Sequence, residues 1–151
     1  MALFENVLLI DDNEINNVMH ERLIEIAGFG EKIVVMPSGV DALTYLKNEV
    51  VNDLSKVPDI IFLDIRMPII DGFGFLAEYV QLPETITRKP KVVMLSSTLD
   101  EQDYDKAKGF PQVVSFLVKP LSVDKLSALE VVSFLVKPLS VDKLSALEIP
   151  A

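Results

Sequence analysis

The sequence predicts an α/β fold in which a parallel sheet carries helices on both faces. Five short apolar runs alternate with segments of helical character along the 151 residues. The runs are rich in Val, Ile and Leu, which is typical of strands that are buried on both faces. Four of the five runs end in a residue with a chemically active side chain. Strict alternation of strand and helix favours a doubly wound sheet with right-handed crossovers.

The first strand is expected at residues 6–10, where the apolar run stops at Asp11-Asp12. The next helix should end at Gly28 and face the core with its apolar residues at helical spacing, namely Ile15, Val18, Met19, Leu23 and Ile26. His20 on this helix has no partner pattern in the sequence, and we expect it to be exposed or half-buried.

The second strand is expected at residues 32–36, and Ser38 is a good N-cap for the helix that follows. That helix should direct four apolar residues inward, namely Val40, Leu43, Leu46 and Val50. A polar connection at 52–58 then leads to the most apolar strand, residues 60–63, which ends at Asp64.

The third strand is followed by two turn signals. Pro68 fixes its own φ and pushes Met67 out of the helical region, so an extended turn is expected there. Asp71-Gly72 starts a helix over 72–79 with an apolar face made by Phe75, Leu76, Tyr79 and Val80.

The remaining elements are shorter. We expect a loop at 83–90, a strand at 92–95 that ends at Ser96, a short polar helix at 100–108, a strand at 114–118 that ends at Lys119, and a helix capped by Ser122.

Composition narrows the classes of partner. The net charge is −9, with 23 acidic and 14 basic residues, and a nucleic-acid surface would need the opposite balance. The chain has no cysteine, so it has neither a disulfide framework nor a thiolate metal site. Its apolar runs are far shorter than a membrane span, and no membrane partner is expected. A cytoplasmic location is the default expectation.

The strand ends predict the chemistry. In a parallel sheet, Asp11, Asp12, Asp64, Ser96 and Lys119 all lie at the same edge. Clustered carboxylates repel one another, and an oxygen-only set of ligands favours Mg²⁺ over Zn²⁺. A lysine and a hydroxyl can both donate to a phosphoryl group. This combination predicts phosphoryl transfer onto a carboxylate.

The sequence resembles the receiver domains of two-component response regulators. The residues that carry the resemblance span most of the chain, namely Asp11-Asp12, the run from Leu63 to Pro68, Asp71-Gly72, Ser96 and Lys119-Pro120. The resemblance implies a flavodoxin-like fold with strand order 2-1-3-4-5. It also implies a histidine kinase or histidine phosphotransfer protein as phosphoryl donor, and a downstream protein partner.

The resemblance also implies a role for each site residue. Asp64 is the phospho-acceptor, and Asp11 and Asp12 hold Mg²⁺ together with the backbone carbonyl of Arg66. The Arg66 side chain would face the site entrance and influence dephosphorylation. Lys119 contacts the phosphoryl group, and its bond to Pro120 is expected to be cis. Ser96 is the switch hydroxyl, and Phe116 is an aromatic switch that turns inward when Ser96 moves.

The C-terminal part contains a tandem repeat. Residues 113–130 read VVSFLVKPLSVDKLSALE, and residues 131–148 repeat all eighteen. We therefore expect a receiver domain at 1–130 and a copy at 131–148 that is not a separate domain. Lys119 is preferred over Lys137 for the active site. If the second copy supplied the fifth strand, the apolar residues of the first copy would form a loop, and exposing them to water would cost free energy.

Three arrangements of the second copy remain open. It can continue the last helix, which its periodicity favours; it can add a sixth strand; or it can exchange into a neighbouring molecule. A helix extension would leave apolar residues that promote a homodimer.

Two functional alternatives also remain open. One is a Mg²⁺-dependent phosphatase with Asp64 as nucleophile, although Arg66 stands where such enzymes usually carry a second Asp as general acid. The other is a receiver that the duplication has inactivated. Otherwise the chain is expected to be no enzyme beyond catalysing its own phosphorylation and dephosphorylation.

Overall fold

The computed structural model describes residues 3–135. Its five strands are β1 (Phe4–Ile10), β2 (Gly30–Met36), β3 (Ile60–Asp64), β4 (Lys91–Ser96) and β5 (Val113–Val118). Its α-helices are α1 (Glu14–Ile26), α2 (Gly39–Tyr45), α3 (Gly72–Tyr79), α4 (Glu84–Thr87), α5 (Glu101–Ala107) and α6 (Val123–Leu135). Within this range, no helix combines the length and the apolarity that crossing a bilayer requires.

The strands form one parallel sheet in the order β2-β1-β3-β4-β5. The predicted fold class and strand order are therefore confirmed. The central strand β3 is buried along its whole length, as its unbroken apolar run predicts. The chain winds in one direction from β1 to β2 and in the other from β3 to β5, so the direction reverses between β1 and β3.

Two apolar layers hold the helices against the sheet. One face of the sheet packs against α2, α3 and α5, and the other packs against α1 and α6. Successive strand residues alternate between the layers, as with Leu8 and Ile10 on one side and Val7 and Leu9 on the other. Both faces are thus covered, which explains why the strands lack polar alternation.

The predicted inward face of α1 is wrong. Four of its five apolar residues are between 50% and 71% exposed, namely Ile15, Val18, Met19 and Ile26. The helix instead buries Asn17, His20 and Ile24, which share one face at helical spacing. His20 is 1% exposed, so the expectation of an exposed or half-buried histidine is also wrong. Counting apolar residues missed this face because two of its buried members are polar.

Some local predictions need smaller corrections. Val40 on α2 is exposed, whereas Leu43, Leu46 and Val50 are buried as predicted. Helix α2 continues as a π-helical turn at Leu46–Val50, and the polar connection contains a 3-10 turn at Leu54–Lys56. The segment predicted as a loop at 83–90 contains the single turn of α4.

The last helix begins after its predicted cap, where Ser122 Oγ accepts from the backbone N–H of Lys125 at 3.1 Å. Its backbone remains helical through Leu135, five residues into the repeated segment. The rest of that segment, with Lys137, lies outside the described residues. The arrangement of the second copy as a whole, including any homodimer, stays a prediction.

Candidate functional site

The residues predicted from the strand ends meet at one edge of the sheet. Asp11 follows β1, Asp64 is the last residue of β3, and Ser96 is the last residue of β4. Lys119 directly follows β5. The adjacent strands β1 and β3 flank the point where the winding reverses, which is where open α/β sheets bind their ligands.

Three carboxylates form the centre of the site. One oxygen from each of Asp11, Asp12 and Asp64 lies within 4.8 Å of the others. Asp11 and Asp64 are buried, whereas Asp12 is exposed at the rim. Oδ1 of Asp11 also accepts from the backbone N–H of Asn13 at 2.9 Å, which fixes this carboxylate against the start of α1. The cluster is open on the side of Asp12.

Lys119 neutralises part of this charge. Its Nζ donates to Oδ2 of Asp11 at 2.8 Å and lies 3.0 Å from Oδ1 of Asp64. The Lys119 side chain is only 14% exposed, so the ion pairs are poorly screened by solvent. One ammonium facing three carboxylates leaves an excess of negative charge, which suits a bound cation.

The environment of the site shifts the pKa values of Asp64 and Lys119. Burial raises the pKa of Asp64 to about 6, and Asp11 and Asp12 add to the rise while Lys119 opposes it. Burial lowers the pKa of Lys119, but its hydrogen bonds with Asp11 and Asp64 outweigh this effect, and the net shift is upward. Ionising Asp64 is therefore costly until positive charge is added nearby.

The donor set fits Mg²⁺. Opposite oxygens around an octahedral Mg²⁺ lie about 4.2 Å apart, given bonds of about 2.1 Å, and the three carboxylate oxygens are spaced on this scale. All three are hard oxygen donors, and the chain contains no cysteine that would favour a softer metal. The contribution of the Arg66 carbonyl stays a prediction.

The loop after β3 is shaped by a close approach and by one strained residue. A Cβ at Gly72 would lie 2.6 Å from the backbone oxygen of Asp64, so only glycine fits here. The N–H of Gly72 donates to the carbonyl of Ile65 at 2.8 Å and closes the loop. Ile69 has a φ of 72°, which is rare for a β-branched residue.

Ser96 is at the site edge but is held by its own turn. Its Oγ donates to the carbonyl of Thr98 at 2.5 Å and accepts from the N–H of Thr98 at 3.2 Å. Phe116 is fully buried, and its ring centroid lies 6.2 Å from that of Tyr104 on α5. Phe116 is thus inward while Ser96 is engaged with Thr98. The switch roles of both residues stay predictions.

Arg66 connects the loop after β3 to α5. Its guanidinium donates to Asp103 at 2.7 Å and lies 4.0 Å from Asp100. The Asp103 side chain is nearly buried, whereas that of Asp100 is exposed. The Arg66–Asp103 pair is therefore less screened by solvent than the Arg66–Asp100 pair. Arg66 is two positions after Asp64, the predicted phospho-acceptor, in the sequence.

The structure adds three polar residues that the sequence analysis did not assign to the site. Asn17 Nδ2 donates to the carbonyl of Asp11 at 2.8 Å, and Nε2 of His20 accepts from the N–H of Leu121 at 3.3 Å. Lys125 Nζ donates to the carbonyls of Val118 and Pro120. The spacing of Asn17, His20 and Ile24 along one helix face is the signal that a search for polar as well as apolar periodicity would have found.

The backbone around Lys119 also agrees with prediction. The Lys119-Pro120 bond is cis, as expected, and the N–H of Lys119 donates to the carbonyl of Ser96 at 2.7 Å.

Comparison with known proteins gives the same assignment. The sequence profile of the response regulator receiver domain matches residues 7–131. A probable methanogenesis regulatory protein, FilR2 of Methanothrix harundinacea, is 32% identical over 121 residues, which are 80% of this chain and 75% of that protein. For several other curated relatives, the chain spans only between 7% and 65% of their own length.

Solved structures extend the likeness to three dimensions. A two-component response regulator from Cytophaga hutchinsonii superposes with a TM-score of 0.78 at 33% identity, covering 88% of this chain and 96% of that one. The CheX-CheY-BeF3-Mg²⁺ complex from Borrelia burgdorferi gives 0.68 at 28% identity, covering 88% and 90%. Together with the five-stranded parallel sheet and its carboxylate cluster, these matches show that the chain belongs to the response regulator receiver domain family of two-component signalling.

Proposed function

We propose that this receiver domain accepts a phosphoryl group on Asp64 from a phosphohistidine of a histidine kinase or histidine phosphotransfer protein, in a reaction that requires Mg²⁺. The observation that supports it most is the position of Lys119, whose Nζ is 3.0 Å from Asp64 and 2.8 Å from Asp11. This transfer needs a nucleophilic carboxylate, two further carboxylates to hold a metal ion, and a side-chain ammonium group close to the phosphoryl group.

The chain's own groups carry the steps. An oxygen of the Asp64 carboxylate forms a bond to the phosphorus of the donor's phosphohistidine. The phosphorus–nitrogen bond of the donor breaks, and its electron pair stays with the imidazole. Lys119 turns from Asp64 towards the new phosphoryl oxygens, and the Ser96 hydroxyl leaves Thr98 to donate to one of them. Bound Mg²⁺ would be held by Asp11, Asp12 and Asp64, and it supplies charge neutralisation at the transferring group.

The exposed apolar face of α1 is the surface that we assign to the donor. The helix begins at Glu14, just after Asp11-Asp12, so the face lies beside the site opening. Four large apolar side chains on one face of α1 are exposed to solvent. An exposed apolar patch of this kind often marks a protein–protein interface. A donor that seats on this patch would bring its phosphohistidine to Asp64.

The output is a change of surface that a downstream protein reads. Ser96 and Phe116 lie on neighbouring strands, and Phe116 packs against Tyr104 on α5. Movement of Ser96 towards a phosphoryl group would alter this packing and the exposed side of α5. The Arg66–Asp103 pair links the same helix to the phosphorylation site.

A magnesium-dependent phosphatase is the main alternative. Such an enzyme needs a general acid near Asp64, but the residue two positions later is Arg66, and its guanidinium is paired with Asp103. An arginine does not release a proton at neutral pH. We therefore propose that the chain catalyses only its own phosphorylation and dephosphorylation.

Incubation with acetyl phosphate and Mg²⁺ tests these alternatives. The receiver assignment predicts that intact-mass analysis finds one added phosphoryl group, which disappears in Asp64→Asn and without Mg²⁺. Asp59→Asn, which removes a carboxylate outside the site, is the matched control and should retain the addition. Rapid turnover of unrelated phosphate esters would favour the phosphatase, and no addition at all would favour the inactivated receiver.

A further inference from the structure

The loop between β5 and α6 carries Lys119, and side chains from two helices hold its backbone. His20 on α1 accepts from the N–H of Leu121 at 3.3 Å. Lys125 on α6 donates to the carbonyl of Val118 at 2.6 Å and to that of Pro120 at 2.9 Å. The backbone is therefore fixed on both sides of Lys119 by groups that do not touch the carboxylate cluster.

The histidine contributes an acceptor that packing alone does not require. Because Nε2 accepts a hydrogen bond, the ring is neutral and carries its proton on Nδ1. Burial lowers the pKa of His20 and favours this form; Asp11 opposes the shift, and Lys119 adds to it. Nδ1 is buried and has no hydrogen-bond partner among the residues described. A leucine would fill a similar space without an unpaired polar atom, so His20 is explained by the contact of Nε2.

The same face of α1 also fixes the backbone of Asp11, which is the ion-pair partner of Lys119. Asn17, nearly one turn before His20, donates to the backbone carbonyl of Asp11 at 2.8 Å. Helix α1 thus holds both the end of β1, with Asp11, and the loop that carries Lys119. These two ends meet in the 2.8 Å contact between Lys119 Nζ and Asp11.

We propose that His20 and Lys125 are positioning residues that aim Lys119 at Asp64 by fixing the backbone of residues 118–121. The proposal rests on the proposed function, because its consequence is the rate of phosphoryl transfer. Neither side chain contacts the phosphoryl acceptor. Small displacements of a charged group at a reacting centre slow phosphoryl transfer strongly, and outer groups that orient it typically account for about 10- to 100-fold.

The His20 contact is tested with two substitutions. His20→Leu keeps the volume and removes the acceptor, whereas His20→Gln places an amide oxygen near the position of Nε2. Phosphorylation by acetyl phosphate with Mg²⁺ should be roughly tenfold slower in His20→Leu and close to wild type in His20→Gln. Ile24→Val is the matched control, since Ile24 is buried on the same helix and should lose stability without losing rate.

Lys125→Met is expected to slow the same step, and Lys125→Arg should preserve part of the rate because it retains the donor. Equal rates in His20→Leu and wild type, or a His20→Gln variant as slow as His20→Leu, would overturn the role of His20. A wild-type rate in Lys125→Met would overturn the role of Lys125.

A second measurement separates this proposal from the proposed function. Amide hydrogen exchange should show Leu121 protected in wild type and His20→Gln but not in His20→Leu. The NMR signal of the Lys119 ammonium should move in His20→Leu. If wild type takes no phosphoryl group while these NMR differences appear, the proposed function fails and the positioning stands. If the Lys119 signal is unchanged in His20→Leu, the positioning proposal fails.

Discussion

At the scale of single residues, Asp64, the proposed phospho-acceptor, is a buried carboxylate. Burial disfavours its charged form, and Lys119 compensates only in part, so the pKa rises to about 6. A cation bound beside Asp64 would favour its ionised form and so lower this pKa.

This raised pKa predicts how stability depends on pH. Between pH 4 and 6 the folded protein retains a proton on Asp64 that the unfolded chain releases, so the contribution of Asp64 to stability falls as pH rises through this window. Asp64→Asn removes that penalty. Without Mg²⁺, we expect Asp64→Asn to be more stable than wild type at pH 7, by on the order of 3 kcal/mol, and equal to it below pH 4.

Urea unfolding of both proteins across this pH range measures the difference. Asp59→Asn, outside the site, should not show the same pH-dependent gain. A constant difference between Asp64→Asn and wild type at all pH values would contradict the assignment of the raised pKa.

Ile69 gives a second prediction at this scale. Its positive φ strains a β-branched side chain that is 90% exposed and so makes little packing contribution. Ile69→Gly should therefore raise the free energy of unfolding by about 1 kcal/mol. Leu99→Gly is the matched control: Leu99 is exposed, its φ is not positive, and its replacement should be neutral or destabilising. Thermal and urea unfolding would detect either outcome, and a loss of stability in Ile69→Gly would contradict the strain.

At the scale of elements, the strands were predictable and the inner face of α1 was not. Continuous apolar runs identify β1, β3, β4 and β5, because burial on both faces leaves no room for polar alternation. The carboxylate cluster followed from where those runs end. Helix α1 buries Asn17 and His20 because each satisfies a backbone group of the site, and no apolar period records such a bond.

The apolar residues of α1 then predict an interface. Met19→Glu should slow phosphoryl transfer from a phosphorylated histidine phosphotransfer domain by roughly tenfold, because a charge would enter the centre of a desolvated contact. The rate with acetyl phosphate should be unchanged, since the small donor needs no such surface. Transfer rates measured with both donors check this prediction.

The control for the interface is Leu54→Glu, which introduces the same charge at another exposed apolar residue. Leu54 lies in the 3-10 turn before β3, at the opposite end of the sheet from the site. Equal losses in Met19→Glu and Leu54→Glu would show a general effect of charge. A loss with acetyl phosphate would show damage to the site.

At the scale of the whole molecule, one edge of the sheet brings together site residues that are far apart in the sequence, the first being Asp11 and the last Lys119. The strand order β2-β1-β3-β4-β5 places the strands that lead to Asp11 and Asp64 side by side. Lys119, directly after β5, forms ion pairs with both carboxylates. The sequence predicted that these groups meet at one edge, because each stands at or next to a strand end. It did not predict the contact between His20 and the N–H of Leu121, because a search for apolar periodicity passes over a polar residue on the buried face of a helix.

The repeat makes the choice of lysine the most direct test of this site. Lys119 contacts both Asp11 and Asp64, and Lys137 occupies the same place in the second copy. Intact-mass analysis after incubation with acetyl phosphate and Mg²⁺ should find one added phosphoryl group in wild type and in Lys137→Met. The addition should be lost or slowed by at least roughly 100-fold in Lys119→Met. Normal phosphorylation of Lys119→Met together with its loss in Lys137→Met would contradict the assignment of Lys119 to the active site.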